Sequence, residues 1–174
     1  FLDQDDFYEL YACQELYQWI EQQKVDMVDC RYNIIEQDNT VHNWSLSSLA
    51  YQKLNSLEAL EKIVDNRSNF HSVIYIWKKI LSHTLYKKVA SHIPIKHMIS
   101  NEDIFIGTLC FYFAKTFYAV DNIYYNHYVG IGFFKEYSFS QLQKTISSIQ
   151  IFRSYFIEFV EKQKPPLSFE KSLT

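Results

Sequence analysis

Glycine and proline are scarce, three of each in 174 residues. So few turn formers argue against a low-complexity or disordered chain, and a hydrophobic fraction of 48% is enough to build a core. With Gly107, Gly130 and Gly132 as the whole supply, no dinucleotide-binding GxGxxG, no P-loop and no GxSxG nucleophile elbow can be written. Cys13, Cys30 and Cys110 are an odd set without CxxC spacing. They exclude a disulfide framework and read as reduced thiols, so the expected location is cytoplasmic. The six His residues show no HxxxH or HxH spacing, which argues against zinc. No apolar run approaches the roughly 20 residues that cross a bilayer; the nearest, residues 104–114, is short and contains Gly107 and Thr108. A net charge of -3 lacks the basic excess of a phosphate-neutralising protein, so no nucleic acid is expected as partner.

Aromatics are what the chain has in abundance, with 14 Tyr and 14 Phe. They read first as an aromatic core and second as the lining of a sugar or membrane-interface surface. No repeat, linker or composition shift marks a boundary, so residues 1–174 are expected to form one domain. The first residue is Phe and no charged leader precedes an apolar segment, so a preceding part is expected to have been removed.

Periodicity predicts an α/β chain. Asp6 and Glu9 have capping-box spacing, predicting a helix over residues 7–23. A strand follows at 25–32, with a hairpin-like turn at 36–39. Helices are predicted from Ser56 to Val64, over 84–90 up to Pro94, and over 101–115, with an extended segment at 72–80. Two strands are expected at 117–120 and 123–129, before a loop with Gly130 and Gly132. In a last helix, from Phe139 to about Lys162 and ended by Pro165-Pro166, Leu142, Ile146, Ile149, Phe152, Phe156 and Phe159 define a buried face.

Two acidic motifs carry chemistry. In Phe1-Leu2-Asp3-Gln4-Asp5-Asp6 a strand end delivers carboxylates at a turn. Such hard oxygens suit Mn²⁺ or Mg²⁺, whose remaining positions go to water and phosphate oxygens. In Ser100-Asn101-Glu102-Asp103 adjacent carboxylates open an aromatic-rich helix. There a partly desolvated carboxylate can act as general base, or simply offset the helix dipole. Asp6 as a plain N-cap, with Asp3 and Asp5 solvated, is the alternative for the first motif.

Taken in order, these motifs resemble the family-two type of inverting glycosyltransferases. Phe-Leu-Asp-Gln-Asp-Asp-Phe-Tyr-Glu is similar to that family's Asp-x-Asp strand end. Ile76-Trp77-Lys78-Lys79-Ile80 with Leu85-Tyr86 resembles its Trp-Asn-Lys segment, Asn101-Glu102-Asp103 its Glu-Asp motif, and Tyr124-Tyr125-Asn126-His127 the strand after it. The resemblance implies a partial GT-A fold, with a mixed sheet, a C-terminal helical region and the nucleotide-binding part lying before residue 1. It also implies metal-dependent transfer of a sugar from a nucleotide-sugar donor to a saccharide or lipid-linked acceptor, as in cell-surface polysaccharide biosynthesis. Asp5 would bind the metal. Asp3, Trp77, Lys79 and His127 would contact substrate, Asp103 would be the base and Glu102 would position it. Lys78 stands where the family has Asn, and His127 where Arg is common.

The family further implies an enzyme at the inner face of the cell membrane, with peripheral membrane association and homo-oligomerisation left open. A chain lacking the nucleotide-binding part is expected to be inactive alone, so a non-catalytic transferase fragment is one alternative. Another is an aspartyl phosphatase with Asp3 as nucleophile and Asp5 as acid, although Asp6 stands where that family expects Thr or Val.

Overall fold

The computed structural model describes residues 2–3, 5–44, 49–65, 75–93, 102–130 and 138–164. Expectations about Ser100, Asn101, Gly132, Pro94, Pro165-Pro166 and residues 72–74 lie outside them. The described residues form a mixed α/β structure with a six-stranded sheet and five helices. The strands are β1 (Phe7–Tyr8), β2 (Met27–Ile35), β3 (Val41–Trp44), β4 (Lys53–Asn55), β5 (Lys79–Leu81) and β6 (Thr116–Tyr128); the helices are α1 (Ala12–Gln23), α2 (Ser56–Asp65), α3 (His83–Ala90), α4 (Glu102–Phe113) and α5 (Phe139–Gln163).

β2 and β6 run parallel at the centre. Beyond β6, β4 and β1 pair antiparallel with its two halves; beyond β2, β5 and β3 do the same. Alternation along β2 sends Val28 and Cys30 toward α1, where Ala12, Leu16 and Ile20 meet them at helical spacing, while Met27 faces the core of α2, α3 and α4. Seven consecutive buried residues, Phe105 to Phe111, make α4 the central helix of that core. Asp26 ties the start of β6 to β2, accepting from the backbone N–H groups of Lys115 at 2.9 Å and Thr116 at 3.1 Å.

Several expectations need correction. The 7–23 helix begins only at Ala12, with no side-chain cap at Tyr11. Phe7 and Tyr8 are instead strand, paired with Asn126 and Tyr125, because the Asp6 carboxylate bonds to β6 and is not free to cap a helix. The two strands at 117–120 and 123–129 are one strand whose register against β2 shifts between Ala119 and Tyr125; the polar Asp121-Asn122 lies in that irregular stretch. Asn55 caps α2, its Oδ1 accepting from the Leu57 N–H at 2.9 Å. The Ser56 hydroxyl donates to the Phe111 carbonyl at 2.9 Å.

The stripe on α5 is buried only toward its C-terminal end: Phe159 is buried, whereas Leu142 is 55% exposed and Ile146 and Ile149 are 48% exposed. At 25 residues against 12 for α4, α5 is about twice the length of the helix it packs on, so its first turns run past the core. No helix among the described residues is long and apolar enough to cross a membrane.

Candidate functional site

The residues singled out from the two acidic motifs and from β6 meet at one end of the sheet. Strand pairing of Phe7-Tyr8 with Tyr125-Asn126 lays the acidic loop, Asp3 to Asp6, against the C-terminal end of β6. Asp6 is its buried anchor. Its carboxylate accepts from the Tyr125 hydroxyl at 2.7 Å, the His127 Nδ1 at 3.0 Å and the Tyr128 backbone N–H at 2.9 Å. Burial alone would raise the Asp6 carboxyl, but these bonds, with the His127 charge, outweigh it and hold the group below its ordinary value. The hydrogen bond to Asp6 raises the His127 imidazole in turn, against burial, with the Asp6, Asp3 and Asp5 charges adding to it. The two form an ion pair across the loop and the strand.

Asp3 and Asp5 flank this anchor. Asp3 is exposed and Asp5 half-buried. Partial desolvation raises the Asp3 carboxyl, the charges of Asp6 and Asp5 add to that, and His127 opposes them.

Asp103 reaches the cluster from the first turn of α4. Burial pushes its carboxyl up to about 7, helped by the charges of Glu102 and Asp3 and opposed by Lys79 and His127. Asp3, Asp103 and His127 therefore share one electrostatic neighbourhood, although Asp3 lies far from the other two in sequence, and Asp5 acts on both Asp3 and His127. Glu102 is half-buried, with its Oε2 enclosed and without a hydrogen-bond partner.

An aromatic stack forms the wall between the two motifs. The Trp77 ring is stacked on Tyr125 at 4.4 Å, Tyr75 at 4.9 Å and His127 at 5.4 Å between centroids, with Tyr32 edge-on at 4.9 Å. At 4% exposure Trp77 offers its ring to these neighbours rather than to solvent. The Tyr8 hydroxyl donates to the Trp77 carbonyl at 2.6 Å and fixes the turn that carries it. Tyr75 is half-buried, and its phenol is raised by burial and by the charge of Asp103.

Behind this wall lies a charged core that sequence spacing did not reveal. Asp29, fully buried on β2, bonds to Lys78 Nζ at 3.0 Å and lies 3.7 Å from Lys79 Nζ. Lys79 also donates to the Tyr75 carbonyl. Burial brings its amine down to about 8, against the attraction of Asp29. Enclosed in this way, Lys79 meets protein rather than solvent, and its influence on the cluster is through charge.

Among the described residues no group of three or more His, Cys, Asp or Glu side chains is arranged to hold a metal ion. The Asp6 oxygens are taken by three donors, which leaves Asp3 and Asp5 as the carboxylates of the loop. Two such oxygens suit a hard divalent cation that takes its other ligands from water and a bound phosphate. Two surface concavities, of about 540 and 240 Å³, lie at the β2–β3 turn and between α3, α4 and α5; neither is lined by Asp3, Asp5, Asp103 or His127.

The sequence reading took Asp6 for a helix cap, gave Tyr125 no role of its own and passed over Asp29. The signal for Asp6 was the Tyr125–His127 spacing, which puts two polar groups on one face of a strand. No protein-family model matches the chain, and no curated protein matches it.

Proposed function

We propose that the chain belongs to the catalytic domain of an inverting, nucleotide-sugar-dependent glycosyltransferase with a GT-A type fold. The observation that carries this reading is Asp103: a carboxyl pushed up to about 7 within the electrostatic reach of Asp3 and His127 is poised to accept a proton near neutral pH. The mixed sheet is compatible with part of such a fold, and the order of the motifs along the chain supports it.

In this reading Asp103 takes the proton of an acceptor hydroxyl as its oxygen attacks the anomeric carbon, and single displacement inverts that centre. Glu102 holds the acceptor or the base in place. His127, whose imidazole the bond to Asp6 raises, faces the diphosphate leaving group. A divalent cation held by Asp5 with Asp3 would offset the charge that grows on the departing nucleoside diphosphate.

The test is a transfer and donor-hydrolysis assay with Mn²⁺ or Mg²⁺ and a panel of nucleotide sugars, run on the full natural protein. Asp103→Asn should lower turnover by about a hundredfold or more with much smaller loss of donor binding, and Asp5→Asn should abolish metal-dependent transfer. Wild-type turnover by Asp103→Asn would remove it as the base.

A further inference from the structure

We propose that Asp6 is a positioning residue that fixes the ring of His127, holding Nδ1 inward and leaving Nε2–H as the outward donor to a bound anion. The inference rests on the glycosyl-transfer reading only for the identity of that anion.

Asp6 is itself only 9% exposed, so its carboxylate serves the interior rather than solvent. It bonds three groups of one strand end, Tyr125, His127 and Tyr128. A side chain needed merely to pin the loop would be satisfied by the backbone bond from Tyr128 and the Tyr125 hydroxyl. The third bond selects one nitrogen of an imidazole whose face already lies against Trp77. With its plane set by the stack and Nδ1 taken by Asp6, the ring has no rotational freedom, and its other nitrogen is left to make outside contacts. The His127 side chain is 33% exposed, so part of the ring reaches solvent.

The groups acting on this ring are Asp3, Asp5 and Asp6 from the acidic loop, Trp77 beside β5, and Asp103 from α4. Three of them, Asp3, Asp5 and Asp103, are carboxyls other than the anchor and would repel a bare anion. The anion that fits therefore arrives with a divalent cation, as a metal–nucleoside diphosphate does.

The experiment, on the full natural protein, is nitrogen-15 NMR of the histidine rings at pH 7, with His127 assigned through His127→Gln, together with titration of Mn²⁺–UDP and Mn²⁺–GDP. In the wild type, Nδ1 and Nε2 of His127 should both carry a proton. Asp6→Asn should move the ring toward the neutral form protonated at Nε2, whereas Tyr125→Phe, which removes a bond to Asp6 but none to His127, should leave Nδ1 protonated. Asp6→Asn and His127→Gln should each weaken nucleotide binding about tenfold. An unprotonated Nδ1 in the folded wild type would overturn the proposal even if Asp6→Asn does not fold. So would equal ring changes in Asp6→Asn and Tyr125→Phe, which would mark Asp6 as structural only. If the ring responds as expected but the wild type binds neither nucleotide, the positioning role stands while the diphosphate assignment and the glycosyl-transfer reading fall.

Discussion

Replacing Asp103 with Asn should stabilise the chain at pH 8 and leave it nearly unchanged at pH 4. The carboxyl is raised from 3.8 to about 7 in the fold, first by burial and then by the neighbouring charges of Glu102 and Asp3. A raised acid binds its proton more tightly in the folded state. Its contribution to stability is therefore complete below 3.8 and is lost as pH climbs through about 7. At about 1.36 kcal/mol per unit, a shift of this size corresponds to a ceiling of about 4 kcal/mol; because the group is half-buried, solvent screening brings the expectation to about 2 kcal/mol. Asparagine keeps the shape and never ionises. Urea unfolding at pH 4, 6 and 8 measures the difference: the midpoint of Asp103→Asn should exceed that of the wild type by about 1 M at pH 8, with equal slopes, and converge on it at pH 4. Parallel midpoints across the three pH values would refute the claim that Asp103 is destabilised by ionising in place. The desolvation that costs stability also keeps the carboxyl a competent proton acceptor near neutral pH, so gained stability and lost turnover in this variant would share one cause.

The Asp6–His127 pair should show the complementary dependence. The lowered Asp6 contributes above 3.8 and loses its effect as pH falls through its folded value, while the raised His127 contributes fully below 6.5 and loses its effect as pH rises through its own. The stability lost in Asp6→Asn, measured by urea unfolding, should thus be greatest between about pH 4 and 6.5. In the charged core, Asp29→Asn leaves two buried ammonium groups without their carboxylate and should cost about 3–5 kcal/mol. Lys78→Met leaves the Asp29–Lys79 pair intact and should change stability by about 1 kcal/mol or less; thermal unfolding of both compares them. Gly130 has a φ of +76°, and an added Cβ would sit 2.5 Å from Gln37 Nε2, so Gly130→Ala should lower stability by about 1 kcal/mol in the same assay, mostly from backbone strain because the Gln37 side chain can move aside.

Elements with a local cause were legible in the sequence. The β2–β3 turn announces itself by the polar run at 36–39, α2 by its apolar spacing and α4 by the acidic residues of its first turn, because turn chemistry, periodicity and the helix dipole need no distant partner. The start of α1 was not legible, since the spacing of Asp6 and Glu9 is the same whether the carboxylate caps a helix or reaches a strand 120 residues away. Tertiary bonds decided it: Tyr125, His127 and Tyr128 claim Asp6, and Asn126 donates to Glu9 at 2.8 Å, so both members of the would-be capping box serve β6. The Trp77-Lys78-Lys79 segment was legible as a motif but not as a structure, for the partner of both lysines is Asp29 on another strand, 49 residues earlier for Lys78. The acidic loop follows the same logic. Three carboxylates within four residues look equivalent on paper, yet hydrogen bonding takes Asp6 out of contact with solvent and leaves Asp3 and Asp5 outside that network. What separates them is not their spacing but which of them a donor on β6 can reach.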